Sequence, residues 1–110
     1  MFAILKVKDK EYKLRMNSKT AVECEKVAEK SLLELAFNGS VESQVLLLQY
    51  LLKDMQHGFD KDKTYQLRDQ MIEEGLVFED IALKIAEGLA ESGFIKKETL
   101  QESMKEMNKK

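Results

Sequence analysis

The sequence predicts an α+β fold, mostly α: an N-terminal two-stranded β-hairpin packed on a bundle of about four helices, with a further short helix at the C-terminal end. Three observations predict it. Period-two alternation of apolar and polar residues is confined to the first sixteen positions, which marks strands. From residue 19 onward apolar residues recur at spacings of three and four, the helical period. Glycines stand singly, mostly where those stripes stop, and the chain has no proline to interrupt a helix.

Each element follows in order. Residues 2–16 form the hairpin. Residues 2–8 alternate, with Phe2, Ile4 and Val7 apolar and Lys6 and Lys8 polar between or beside them. In the second strand Tyr12, Leu14 and Met16 fall on one face, and Glu11, Lys13 and Arg15 on the other. Asp9-Lys10 is the short polar connection, without the Asn-Gly or Asp-Gly pair that favours the tightest turns. A two-stranded hairpin is marginal alone, so it is expected to pack on the helices.

Asn17-Ser18 then stands where an N-cap belongs. A helix over about 19–36 carries the face Ala21, Cys24, Ala28, Leu32 and Leu35, with a bend allowed near Lys30-Ser31, and Asn38-Gly39 ends it. Ser40 caps a helix reaching about His57. Its stripe of Val41, Val45, Leu48, Leu52 and Met55 is broadened by Leu46, Leu47 and Leu51, so it is expected to be the buried central helix. Asp60 or Asp62 caps a third helix, about 62–74, with Tyr65, Leu67, Met71 and Ile72 as its weaker apolar face. A fourth, about 78–92, is lined by Phe78, Ile81, Ala82, Ile85 and Leu89. Residues 1–94 are read as one globular domain, and 95–110 as a polar tail on which Leu100, Met104 and Met107 keep a four-three spacing.

Composition narrows the function classes. The chain is 44% apolar and 35% charged, against about 25% charged in an ordinary domain, which suits amphipathic helices with charged outer faces. Residues 1–8 are too short an apolar run for a signal-peptide core and lack a small-residue cleavage site. No segment approaches the roughly 20 apolar residues of a membrane span. The protein is therefore expected to stay in the cytoplasm.

Charge is uneven. Residues 1–20 sum to +4 and the rest to −6, giving the net −2. A basic hairpin could bind nucleic acid, which is the alternative reading: a small regulatory protein acting on nucleic acid or a protein partner. Only Phe2 and Tyr12 are there to stack on bases, and no motif of a known reader is present. Lysines that block edge-to-edge strand pairing are the simpler explanation.

The residues that could carry catalysis are few. Cys24, the single cysteine, lies on the apolar stripe beside Ala21 and Ala28 and reads as a small buried hydrophobe. His57, the single histidine, reads as a C-terminal helix cap. One His and one Cys cannot assemble a structural zinc site. The run from Asp60 to Tyr65 opens like a calcium loop, but Tyr65 occupies the turn-glycine position and Met71 that of the bidentate Glu. Glu79-Asp80 suits a first helical turn, where acids favour the dipole. No Gly-rich phosphate loop exists. The expectation is a protein that is not an enzyme and needs no cofactor or metal. Two features are candidates for interaction, beside the simpler readings of a frayed or core-capping terminus and of full burial. One is the tail stripe Leu100, Met104 and Met107, as an adaptable docking segment. The other is a self-association face, should Leu46, Leu47 and Leu51 exceed what the fold can cover.

The order of segments resembles the tail assembly chaperone family of long-tailed phages and prophages of Gram-positive bacteria. The likeness rests on the opening hairpin with Lys10 to Leu14 as its second strand, on Glu29 to Leu35, and on a leucine-rich helix leading to His57-Gly58. It continues through Glu73 to Gly75 and Glu91 to Phe94, spanning roughly residues 2–96. The resemblance implies a non-enzymatic protein of the infected host cytoplasm, absent from the mature virion, that binds the tape measure protein and keeps it soluble while the tail tube assembles. It also implies a longer, frameshifted form, for which Asn108-Lys109-Lys110 would suit an A-rich codon run. It carries no short functional motif and assigns no residue.

Overall fold

The computed structural model describes residues 1–98. Two antiparallel strands open the chain, β1 (Ala3–Val7) and β2 (Lys10–Leu14), with Ala3 opposite Leu14 and Val7 opposite Lys10. Five helices follow among the described residues: α1 (Ser18–Ala28), α2 (Leu32–Phe37), α3 (Val41–Lys53), α4 (Lys61–Glu73) and α5 (Phe78–Glu91). The fold is thus α+β and mostly helical. Its hydrophobic core draws on the hairpin and all five helices.

The inner face of β1 is the odd-numbered one. Ala3, Leu5 and Val7 are buried, while Phe2 and Ile4 are each 39% exposed. The odd positions form the only phase free of lysine, and a strand laid on a helical core turns that phase inward. In β2 the expected face holds, with Leu14 and Met16 buried and Tyr12 half-buried. The connection is Lys8-Asp9, not Asp9-Lys10, and Lys8 adopts φ 56° at its first position.

α3 is the central helix, and the hairpin lies against it and α5. Beyond the end of β2, Arg15 N–H donates to the Leu51 carbonyl at 3.0 Å. The Gln56 carboxamide both accepts from Lys13 N–H (2.7 Å) and donates to the Lys13 carbonyl (3.0 Å), as a neighbouring strand would. Met16 N–H donates to Ser92 Oγ at 2.9 Å, fixing the hairpin's exit on the end of α5. Gly88 lets α5 come this close. A Cβ there would stand 3.1 Å from Leu14 Cβ and 3.2 Å from the Leu51 methyls.

The expected helix over 19–36 is two helices. Asn17 caps α1 through Oδ1, which accepts from Thr20 N–H at 2.8 Å. α1 stops at Ala28 because Glu29 turns into the left-handed region at φ 57°. Ser31 then opens α2 with a capping box, its Oγ accepting from Glu34 N–H at 3.1 Å. The apolar stripe survives the break: Ala21, Cys24, Leu32 and Leu35 are all buried.

α3 ends at Lys53, short of His57, which stands exposed in the following turn; it is no last-turn cap. Val45, Leu48 and Leu52 are buried as expected, but Val41 and Met55 at the stripe's ends are exposed. Of the three leucines that broaden the stripe, Leu47 and Leu51 are covered completely by the fold and Leu46 is half-buried. Asp60, not Asp62, caps α4, accepting from Lys63 N–H at 2.8 Å. That helix buries Thr64, Leu67 and Met71, whereas Tyr65 and Ile72 point outward.

α4 and α5 stop in the same way. Gly75 N–H and Leu76 N–H bond back to the carbonyls of Ile72 and Met71. Gly93 N–H and Phe94 N–H do the same to Ala90 and Leu89. Both glycines have positive φ, and both following apolar residues pack on the core. This is the Schellman arrangement, which reverses the chain and returns it along the helix it has just left.

Candidate apolar docking cleft

The expected chemistry-bearing residues do not come together. Cys24 is fully buried, and burial, with the nearby Glu25 charge adding to it, pushes its thiol up to about 12. It is therefore a packed hydrophobe and not a nucleophile. The Asp60 loop is a helix cap, as described, and no cluster of three or more His, Cys, Asp or Glu side chains among the described residues could hold a metal ion. At α5, Asp80 Oδ2 accepts from Val77 N–H at 2.9 Å, so that carboxylate serves the helix start. Leu100, Met104 and Met107 lie outside the described residues.

On the basic hairpin, the outer-face lysines already have neighbours. Lys6 stands opposite Glu11 in the strand register, and Lys8 Nζ is 3.9 Å from Glu73. Lys13 Nζ sits 4.9 Å over the Phe2 ring, the ring that would otherwise be free to stack on a base.

The outstanding feature is an apolar cleft of about 190 Å³ between α2, the start of α3 and α5. Leu35, Leu47 and Ile85, all buried, form its floor, and Phe37, Phe78, Ala82, Leu83, Ala86 and Ile95 its walls and rim. Why it exists follows from the local sequence. Gly39, at φ 76°, turns the chain sharply between α2 and α3, leaving Phe37 on the last turn of α2 and 68% exposed. On α5, Ala82 and Ala86 are four apart, so two small side chains stack along one face and leave a trough.

The cleft is chemically plain. No titratable side chain lines it among the described residues. Its polar members are already satisfied. Gln44, 5% exposed, donates from Nε2 to the Phe78 carbonyl at 2.9 Å and accepts on Oε1 from Arg68 Nη2 (2.8 Å) and Nε (3.1 Å). Ser40 Oγ accepts from Ser43 N–H at 3.1 Å and donates to Ser43 Oγ at 2.9 Å. That network ties α3, α4 and α5 into a fixed wall. Val41 and Val77, next to it on α3 and α5, are exposed. An apolar cavity of roughly 150 Å³ admits a benzene ring, so this one takes one or two large apolar side chains. Capture of side chains from an amphipathic segment is what such a surface can do.

Sequence reasoning placed Phe78 and Ala82 on the core face of the last helix, where they in fact line the cleft. It passed over Phe37, Leu83, Ala86 and Ile95. The available signal was Phe37 directly before Asn38-Gly39: a large aromatic at a helix end, off the Leu32/Leu35 stripe. No family model, curated protein or solved structure matches the chain. No helix among the described residues is long and apolar enough to cross a membrane.

Proposed function

We propose that this chain is a non-enzymatic phage tail assembly chaperone, which holds the tape measure protein in the host cytoplasm by taking apolar side chains of its helices into the α2–α3–α5 cleft. The observation that carries the reading is the cleft itself, open at Phe37 and lined by no titratable group. A holding protein needs an apolar seat for an amphipathic helix and has no use for a reactive side chain. The resemblance in segment order supplies the identity of the client. Weak seats repeated along a long client gain through avidity, so one small cleft per copy is enough. The satisfied Gln44–Arg68 network supports the reading too, because a rigid wall costs little ordering on binding.

Co-expression with a tape measure protein tests it. The wild-type chain should keep that client soluble and elute with it as a complex. Phe37→Glu should weaken the complex at least about tenfold, which corresponds to about 1.4 kcal/mol. Because Phe37 is already exposed, the variant's own stability should stay within about 0.5 kcal/mol of wild type. An insoluble client and no complex with the wild-type chain would refute the reading. Binding to DNA or RNA that falls steeply with salt would favour the regulatory alternative.

A further inference from the structure

We propose that the outer face of the β-hairpin of a second copy of this chain docks in the α2–α3–α5 cleft, so that copies join hairpin to cleft, head to tail. The inference rests on the reading of the cleft as a seat for apolar side chains, and it makes a neighbouring copy a competitor of the client for that seat.

The hairpin supplies the side chains. Phe2 and Ile4 lie on its outer face and are each 39% exposed, while Ala3, Leu5 and Val7 are taken by the core. Two residues apart on extended backbone, they stand about 6.6–6.8 Å from each other along the strand. Ala82 and Ala86, four apart on α5, set the two small steps of the trough at a rise of about 6 Å. The two spacings agree to within about 1 Å. The cleft volume of about 190 Å³ is of the right order for these two side chains, since a cavity of roughly 150 Å³ admits a benzene ring.

Charge names the occupant. Ile4 stands opposite Lys13, whose Nζ lies 4.9 Å over the Phe2 ring, and Arg15 is exposed two residues further along β2. The hairpin therefore presents an apolar pair with cations beside it. The cleft presents the counterpart. At its Phe78 end Glu42, Glu79 and Asp80 are exposed, and the Gln44–Phe78 bond draws together the starts of α3 and α5 that carry them. Arg68, held by Gln44, and the partial positive charges of the two helix starts offset part of this. The wider balance stays acidic: residues 21–98 hold sixteen Asp/Glu against nine Lys/Arg, whereas residues 1–20 sum to +4.

The symmetry of such a contact is definite. Hairpin and cleft are different patches, so joining them is heterologous and leaves one of each free at the two ends of every assembly. It continues into a row unless the rotation between copies closes a ring.

The test uses the full chain without any client. In sedimentation equilibrium the wild-type mean mass should climb steadily with protein concentration and pass beyond a dimer. The association constant should fall at least about fivefold between about 0.05 M and about 0.5 M salt, as the screening length shortens. Phe2→Glu/Ile4→Glu spoils the hairpin face and Ala82→Phe fills the trough, so each variant alone should stay monomeric. Mixed in equal amounts they should regain one contact, the intact hairpin of one in the intact cleft of the other, and stop at a one-to-one dimer. Glu42→Lys/Glu79→Lys, at two exposed positions, serves as a second cleft variant with the same expected behaviour. A wild type that stays monomeric up to about 1 mM overturns the proposal. So does wild-type growth that ends at a dimer, which marks a two-fold contact, or growth that persists in a variant. A mixture that stays monomeric overturns it as well. Since no client takes part, failure here leaves the chaperone reading standing, and an insoluble client on co-expression fails that reading alone.

Discussion

At the scale of single residues, Cys24 shows how burial decides chemistry. It was legible in the sequence, because a cysteine on a stripe of alanines and leucines faces the core whichever neighbours it meets. Its thiol is raised from 9.0 to about 12. The linkage has a definite sign: the unfolded chain loses that proton near pH 9 while the folded chain keeps it, so folding is penalised between about pH 9 and about pH 12. The stability difference between wild type and Cys24→Ala, from urea unfolding, should be flat below pH 9 and shrink steadily above it. A thiol reagent at pH 8 should react only as fast as the protein unfolds. His57 went the other way. Position beside a glycine suggested a helix end, but α3 stops four residues earlier, and nothing local to His57 signals that.

Among elements, the bend allowed near Lys30-Ser31 is a full break between α1 and α2, and α3 is four residues shorter than its stripe suggested. Spacing analysis follows a stripe and is blind to one left-handed residue. Ala21 to Leu35 stays in register across Glu29, and only the Ser31–Glu34 capping box betrays a new start. In β1 both phases contain large apolar residues, so alternation alone does not choose the inner face. Counting lysines per phase would have chosen Ala3, Leu5 and Val7. Glu29 yields a direct prediction. A non-glycine residue in the left-handed region costs roughly 1–2 kcal/mol, and a glycine returns about 0.4–1 kcal/mol of that through the freer unfolded chain. Glu29→Gly should therefore stabilise the protein by about 0.5–1 kcal/mol, seen as a higher urea midpoint at unchanged slope. An unchanged or lower midpoint would mean the φ of 57° carries no strain.

Taken whole, the architecture was readable because strand and helix periods are properties of short windows, and the cleft was not because it belongs to no window. It forms where three helices meet, from residues that each pattern discards: the aromatic after the stripe of α2, the alanines beside the stripe of α5, and Ile95 after its last turn. The Gln56–Lys13 pairing is a further product of this whole-molecule scale. A hairpin is usually the most local structure a chain can make, yet here the outer edge of β2 is completed by residues 36 and 43 positions downstream. The outer edge of the hairpin thus depends on the end of α3 and the turn that follows it. In native-state hydrogen exchange the amides of Lys13 and Arg15 should exchange with the free energy of global unfolding rather than by local fraying. Strands and central helix should then unfold together, as the one unit on which the cleft is built.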